Sequence, residues 1–506
     1  MLAKIFSGAT VGLDGVLVEV EVDVSSRGFP SFKIVGLPDK AVEEARERVL
    51  TAIKNVGAKF PEHRVVVNLA PADLPKEGPA YDLPIAVGIL VASGQWQALS
   101  EKSLFLGELS LDGSLRHVNG ILSMALLAKK KGIGCFFLPE SDGQEAAIVR
   151  NLKIYPVKNL GQIFSHLNGL EKISPAVARK DFFSKSKIKP EFDLAEIKGQ
   201  EYAKRALEIA ATGDHNLFLK GVPGAGKTML ARALPGILPN MTEDESLEIT
   251  KIWSITGQLP QGSSLIRQRS FRAPHHTISR VGLVGGGSRL RPGEVSLSHR
   301  GVLFLDEFPE FSRSVLEALR QPMEDGKLTI SRASGSVTYP AEFLLVAASN
   351  PCPCGWLGSE KKPCRCLPGQ IIRYQRRVSG PILDRIDLHV EVEAVSVDKL
   401  TSEKLISESS YSVRQRVQLA REKQRTRFKG TKIRSNNRMR TREIKKHCLL
   451  DKDCLILLRQ AVSAMNLSAR SYYKTIKVAR TIADLAREDQ IKTVHLAEAL
   501  QYRPKD

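Results

Sequence analysis

The sequence predicts an α/β protein built as two successive α/β units and a helical C-terminal region. Three observations carry this. Strand-like alternation and helix-like spacing follow one another through residues 1–170 and again through 193–395. The second unit holds a glycine-rich turn set between an apolar strand and a helix. From 396 onward the apolar residues keep helical spacing only. With 506 residues the chain is long enough for about three domains. A composition 42% hydrophobic and 26% charged excludes global disorder.

The elements follow in order. VLVEVEVDV (16–24) is β-branched and alternates with period two, so it reads as a strand. AVEEARERVLTAIKNVG (41–57) has helical spacing and closes on Gly57. RVVVNLAP (64–71) reads as a short buried strand. SPAVARKDFFSKSKIKPEF (174–192) is basic, poor in periodic apolar residues and contains Pro190, the mark of a linker. The expected domains are therefore 1–170, a linker over 171–192, then 193–395 and 396–506. Helices are expected from Val413 to Gln424, Thr441 to Lys446, Lys452 to Met465, Ser471 to Glu488 and Thr493 to Tyr502, with Ser468 and Thr493 as caps.

The net charge of +20 biases the search toward polyanionic partners. It sits unevenly: residues 401–506 hold 25 basic against 11 acidic residues, and 414–442 hold twelve Lys and Arg against Glu422 alone. A solvated helix face would carry more compensating acids, so phosphate contact is expected there, with a solvated surface as the alternative. The best apolar run, Leu83 to Ala92, is too short to span a bilayer, and the first fifteen residues lack the unbroken apolar stretch of a signal peptide. A cytoplasmic protein with no membrane partner is expected. Four of the seven cysteines crowd into 352–366, which suits a metal or redox site better than a disulfide framework.

NLFLKGVPGAGKTMLARAL (216–234) carries the strongest local signal. A strand runs into Gly221, Val222, Pro223, Gly224, Ala225, Gly226, Lys227, Thr228 and the helix that starts at about Met229. Glycines let the backbone point its N–H groups at phosphates, Lys227 neutralises their charge, and the Thr228 hydroxyl reaches Mg²⁺. GVLFLDEF (301–308) then delivers two carboxylates at a strand's C-terminal end, where open α/β sheets bind ligands. Asp306 is the expected Mg²⁺ holder and Glu307 the group that polarises water. EFLLVAASN (342–350) ends at Asn350, placed to orient that water.

This ordered set resembles the AAA+ ATPases, and more closely the magnesium-chelatase-like ComM/YifB family. The residues that carry the resemblance are 32–49, 66–86, 197–228, FRAPHHTIS (271–279), 301–311, AASNPCPCG (347–355), SGPILDRIDLHVEV (379–392) and LSARSYYKTIKVARTIADL (467–485). They span nearly the whole chain. The resemblance implies a P-loop core with a C-terminal helical lid, using ATP and Mg²⁺. It implies that Ile197, Lys198, Gly199 and Gln200 frame the adenine. It also implies that Arg385 is an arginine finger reaching a neighbouring subunit, and that Arg470 is a lid arginine acting in its own subunit. A homo-oligomeric ring follows, by family precedent a hexamer.

The first 170 residues resemble the Lon-protease domain, a ribosomal-protein-S5-like α/β fold. Lon enzymes use a Ser–Lys dyad. The resemblance puts Ala80 and Leu122 at those two positions, so proteolysis is not expected, and Ser123 and Lys129 lie out of register. The resemblance to the magnesium-chelatase-like AAA+ ATPases also implies two pore elements. The first is the insertion 271–301, with Arg272, Arg280, Arg289 and Arg291 beside Gly285-Gly286-Gly287. The second is the hairpin 327–343, where Lys327 and Arg332 meet phosphates. Ordinary surface loops are the alternative for both. His275 and His276 are expected to hydrogen-bond rather than bind metal. Cys352, Cys354, Cys364 and Cys366 form two C-x-C pairs able to hold a structural Zn²⁺ or to remain reduced or redox-active thiols.

The leading expectation is an ATP-driven ring that translocates on single-stranded or branched DNA without sequence preference, as a branch-migration helicase in recombination and natural transformation. Recombination proteins are possible partners. The alternatives are a chelatase motor that inserts Mg²⁺ into a tetrapyrrole, and a nucleotide-dependent DNA-binding scaffold that does not unwind.

Overall fold

The computed structural model describes all residues except 28, 98–100, 179–190, 261–263, 288–289, 333–334, 361, 396–406 and 505–506. The chain forms two units. One comprises residues 1–185 and 243–266; the other comprises 186–242 and 267–506.

The first unit is built on a seven-stranded sheet. Strands β1 (Leu2–Val11) and β2 (Asp14–Val24) form a long antiparallel hairpin. They are joined by β3 (Ser31–Val35), β4 (Arg64–Ala70), β5 (Ser103–Phe105), β6 (Cys135–Pro139) and β7 (Lys153–Val157). The order is β3-β4-β2-β1-β5-β6-β7. The alternation read in 16–24 is real: Val18, Val20, Val22 and Val24 turn inward. Helix α1 (Lys40–Asn55) buries Val42, Ala45, Val49, Ala52 and Ile53 on one face, and Asp39 caps it by accepting from the Val42 N–H. Helix α2 (Asp82–Ala92) is buried on all sides, which explains its unbroken apolar run as core. No helix among the described residues is long and apolar enough to cross a membrane.

Helix α3 (Ile121–Lys130) packs on residues that the sequence reading assigned to the second unit. Ser254 Oγ donates to Glu145 Oε1 at 2.6 Å, and the Gly120 N–H donates to the Ser254 carbonyl at 3.2 Å. These contacts group 243–266 with the first unit, although those residues lie inside the expected 193–395 domain.

Glu145 also accepts from the Leu122 N–H at 2.8 Å. Burial raises its carboxyl from 4.5 to about 7. Nearby, the Asp142 carboxylate raises His117 from 6.5 to about 9. Burial raises Asp82 from 3.8 to about 6, although Arg48 opposes the shift. All three groups bind their proton more tightly folded than unfolded. Each therefore contributes stability at low pH that is lost as pH rises through the folded value. These three groups should lower the thermal midpoint of the full chain between about pH 5 and pH 8, while buried His389, lowered from 6.5 to about 4, offsets part of that fall below about pH 6.5. Glu145→Gln keeps both hydrogen bonds and should flatten that fall, removing a term on the order of 2–3 kcal/mol. A Glu145→Gln slope equal to wild type would refute the assignment.

The second unit is a five-stranded parallel sheet. Its strands are β8 (Leu217–Gly221), β9 (Phe271–Arg272), β10 (Val302–Leu305), β13 (Leu344–Ser349) and β14 (Leu388–Val392). The order is β9-β10-β13-β8-β14. Between β10 and β13 in the chain, β11 (Lys327–Arg332) and β12 (Gly335–Pro340) form a separate antiparallel hairpin, as expected. Helices α4 (Glu201–Gly213) and α5 (Lys227–Ile237) cover the sheet.

The C-terminal helices are α6 (Ser410–Arg427), α7 (Thr441–His447), α8 (Lys452–Ala464), α9 (Ala469–Leu485) and α10 (Thr493–Gln501). Both ends of each of the five helices read from the sequence fall within about three residues of these bounds. Ser468 caps α9 by accepting from the Ser471 N–H, whereas Thr493 is the first helical residue of α10 and Lys492 holds the cap position. One apolar core runs from Leu217, Leu219 and Val390 of the sheet into Val413, Val417, Ile476, Ile482 and Leu496 of these helices. Buried Asp387 pins the junction, accepting from the Asn216 N–H at 2.9 Å and pairing with Lys474 at 3.0 Å. Burial alone would raise its pKa; the Lys474 ammonium and His215 outweigh it and hold the carboxyl well below the usual range.

Candidate functional site

The parallel sheet brings three chain-distant segments to one edge. The phosphate loop follows β8, Asp306 and Glu307 follow β10, and Asn350 follows β13. Parallel strands end on the same side, so the sequence order converts into proximity.

The loop fits a triphosphate. Gly224 and Gly226 have φ of +75° and +89°, and a Cβ built on either meets nothing within 4 Å, so they line open space. Gly221 has another reason to be glycine: its Cβ would lie 2.2 Å from the Val392 carbonyl oxygen of β14. Lys227 Nζ donates to the Gly221 and Val222 carbonyls at 2.7 and 2.9 Å and to Asn350 Oδ1 at 3.1 Å. Burial lowers its pKa from the ordinary lysine value, and Asp306 opposes the shift. Met229 is 40% exposed in the first turn of α5. Gln200 Nε2 bridges the Ala225 and Glu393 carbonyls, which sets the Ile197–Gln200 segment beside the loop. Ile197 is buried, and Gly199 and Gln200 both have positive φ.

Thr228 Oγ1 donates to Asp306 Oδ2 at 2.9 Å. A hydroxyl and a carboxylate this close fit the donor set of a Mg²⁺ ion, a hard cation bound through oxygen. The Asp306 carboxylate also accepts from the Glu307 N–H at 2.9 Å. Glu307 has φ of +51°, a left-handed conformation unusual for a side-chain-bearing residue. Its Oε2 lies 3.1 Å from His276 Nδ1. The sequence reading left His276 as a hydrogen-bonding residue without naming this partner. His275 bonds Thr277 Oγ1 at 2.9 Å.

Arg385 and Arg470 are not at this edge. The Arg385 carbonyl accepts from Asn216 Nδ2 at 3.4 Å, just before β8, at the strand's opposite end. With roughly 3.3 Å per residue, β8 alone separates that end from the phosphate loop by about 13 Å. Arg385 Nη2 and Arg470 Nη2 both reach Glu324 Oε1, at 2.7 and 2.6 Å. Arg470 thus lies with Arg385 and away from its own phosphate loop, whereas the resemblance implied a role in its own subunit. Glu324, in no motif, was missed. The two arginines border a cavity of about 850 Å³ with Lys432, Arg440 and Lys474.

Among the other expected basic contacts, Arg272 is paired within the chain. Its Nε and Nη2 form a bidentate pair with Glu294, both at 2.6 Å, which leaves its fork engaged. Arg280, Arg291, Lys327 and Arg332 are exposed; Arg289 lies outside the described residues. The glycine-rich insertion and the hairpin meet: Tyr339 OH donates to the Leu290 carbonyl at 2.8 Å, and a Cβ on Gly285 would lie 2.9 Å from Ile330 Cδ1. The basic stretch 414–442 is also partly internal. Arg416 pairs with Glu208, Arg421 with Asp214, and Arg427 with Asp484. Lys429, Lys432, Arg440 and Arg442 remain exposed.

The four clustered cysteines come together, with all sulfurs within 4.8 Å of one another, a grouping able to hold a metal ion. In the first unit, Ala80 and fully buried Leu122 share one apolar cluster. Ser123 is buried and donates to the Leu13 carbonyl, while Lys129 is exposed.

A phosphate loop, paired acids and a polar residue closing three neighbouring parallel strands define a P-loop unit of the magnesium-chelatase-like AAA+ class. Comparison with known proteins is specific. "Magnesium chelatase, subunit ChlI" matches residues 193–400, "Subunit ChlI of Mg-chelatase" matches 20–142, and "Magnesium chelatase, subunit ChlI C-terminal" matches 407–503. The chain is 45% identical to "Competence protein ComM" of Haemophilus influenzae, over 99% of this chain and 97% of that one. It is 42% identical to "Uncharacterized protein YifB" of Escherichia coli, over 100% and 97%. Similarity to the "Magnesium-chelatase 38 kDa subunit" of Rhodobacter capsulatus is 26% over 35% of this chain and 56% of that one. The chain belongs to the ComM/YifB family.

Proposed function

We propose that the chain is one subunit of a ring-forming ATP hydrolase that moves along DNA and drives branch migration in recombination and natural transformation. The observation that carries this reading is the division of the nucleotide machinery between two ends of one sheet. Lys227, Thr228, Asp306, Glu307 and Asn350 lie at one end, and Arg385 and Arg470 at the other. A head-to-tail ring would set one subunit's arginines against the next subunit's phosphates.

In this reading the loop amides and Lys227 bind the triphosphate, and Lys227 exchanges its carbonyl partners for phosphate oxygens. Thr228 and Asp306 would hold Mg²⁺, which when bound neutralises phosphate charge. Glu307 polarises the attacking water, Asn350 orients it, and His276 fixes the Glu307 carboxylate. Arg280, Arg291 and Arg332, on two elements that pack together, supply backbone contact with DNA. The name of the Haemophilus influenzae relative supports the link to competence.

The partial likeness to chelatase subunits favours a second reading, a motor for Mg²⁺ insertion into a tetrapyrrole. ATP turnover separates the two when measured with no DNA, single strands, duplex and four-way junctions, alongside strand displacement on forked substrates. The DNA motor predicts turnover stimulated several-fold by branched DNA, with binding that weakens steeply as salt rises. Binding without displacement would indicate a scaffold. Turnover indifferent to DNA, with no salt-sensitive binding, would overturn the proposal.

A further inference from the structure

We propose that Cys352, Cys354, Cys364 and Cys366 bind one Zn²⁺ as a tetrathiolate, and that this site holds the phosphate loop and Asn350 in register. The second half rests on the ATPase reading above; the first does not.

The sulfur geometry suits one ion. Cys352 Sγ lies 3.4 Å from Cys354 Sγ and 3.6 Å from Cys364 Sγ, and Cys354 Sγ lies 3.6 Å from Cys364 Sγ. Tetrahedral Zn²⁺ with Zn–S of about 2.3 Å sets its sulfurs about 3.8 Å apart. A disulfide would need about 2 Å, and all seven cysteines are free. An iron–sulfur cluster places bridging sulfide between its irons and would hold the thiolates farther apart. The backbone also favours thiolates: the Cys354 N–H donates to Cys366 Sγ at 3.4 Å, and the Cys366 N–H donates to Cys364 Sγ at 3.5 Å.

The segment has little regular structure of its own. Among the described residues of 351–367 there is no helix or strand, and only Pro351, Cys352 and Gly355 are buried. A metal would supply the stability that a core supplies elsewhere.

Its position gives the ion leverage. Cys352 follows Asn350 by two residues and is fully buried. Gly355 turns the chain with φ of +84°, and its N–H donates to the Cys352 carbonyl at 3.0 Å. A Cβ there would lie 2.6 Å from Pro223 Cγ and 3.8 Å from Asn350 Cγ. The cysteine knuckle therefore touches the phosphate loop on one side and Asn350 on the other. Asn350 in turn holds Lys227. An ion on the four sulfurs would help hold Gly355 against Pro223.

The test uses the full-length chain purified without chelator. Metal content by atomic emission should show about one zinc per chain, and cobalt exchanged into the site should give the spectrum of tetrahedral thiolate ligation. Cys364→Ser/Cys366→Ser should retain less than about a tenth of the zinc and bind a fluorescent ATP analogue at least about tenfold more weakly. Gly355→Ala should keep zinc and still lose nucleotide affinity, because its methyl meets Pro223. If the double-cysteine variant does not fold, stripping zinc from wild type and restoring it gives the same comparison. Wild-type protein without zinc, or with iron in its place, overturns the site. Zinc loss with unchanged nucleotide affinity overturns the coupling. Zinc bound by a protein with no affinity for ATP would defeat the ATPase reading and leave the metal site standing.

Discussion

Glu307→Gln should lower ATP turnover by about 10²–10⁴-fold while ATP binding survives. The substitution removes one negative charge and almost no volume. Its amide oxygen still accepts from His276, and the Glu307 N–H that bonds Asp306 belongs to the backbone and is untouched. The groups expected to grip the triphosphate are elsewhere, in the 221–228 loop and its lysine. What disappears is a carboxylate able to draw a proton from water as it attacks. The backbone at this residue is held in the left-handed region, a conformation that costs of order 1 kcal/mol or more and persists when its surroundings require it. Phosphate release reports turnover, and equilibrium binding of a fluorescent ATP analogue reports affinity. Turnover near wild type would mean that another group polarises the water; lost binding would mean that Glu307 is structural.

The legibility of this site in the sequence has a physical limit. Local chemistry was readable. The strand–loop–helix at 216–234 and the acids after an apolar strand each declare themselves within about ten residues, because phosphate binding needs a fixed spacing of glycines, lysine and hydroxyl. Helical periodicity located the five C-terminal helices. Partners distant in sequence were not readable. Arg272 meets Glu294 across a fold of the insertion, and the acids that neutralise Arg416, Arg421 and Arg427 come from Glu208, Asp214 and Asp484. A local count of charge over 414–442 could not register them. The same limit explains 243–266: nothing local to Glu243–Thr256 shows that α3 is what covers it.

Arg385→Ala and Arg470→Ala should each abolish most turnover as pure proteins, by up to about 10³-fold, and each should recover when mixed with Lys227→Ala. The argument is geometric. Both guanidiniums share Glu324 at the sheet end remote from their own phosphate loop. Buried Arg385 also carries an Nε with no hydrogen-bond partner among the described residues. Removing either arginine leaves Glu324 paired with the other, so the fold should tolerate each change. Lys227→Ala spoils a subunit's own nucleotide site and leaves its arginines intact. In a mixed ring, a site becomes complete when an intact phosphate loop faces an intact pair of arginines. Random equal mixing makes about a quarter of the sites complete, whereas neither parent has any. Turnover that rises on mixing and peaks near equal proportions would support action between subunits. A mixture no more active than its parents would mean that the arginine works within its own chain, by a movement of the C-terminal helices that breaks the Glu324 pairs. Because the two arginines are tested separately, the experiment can assign Arg385 to the neighbour and Arg470 to its own subunit, or both to the neighbour, as their shared carboxylate implies.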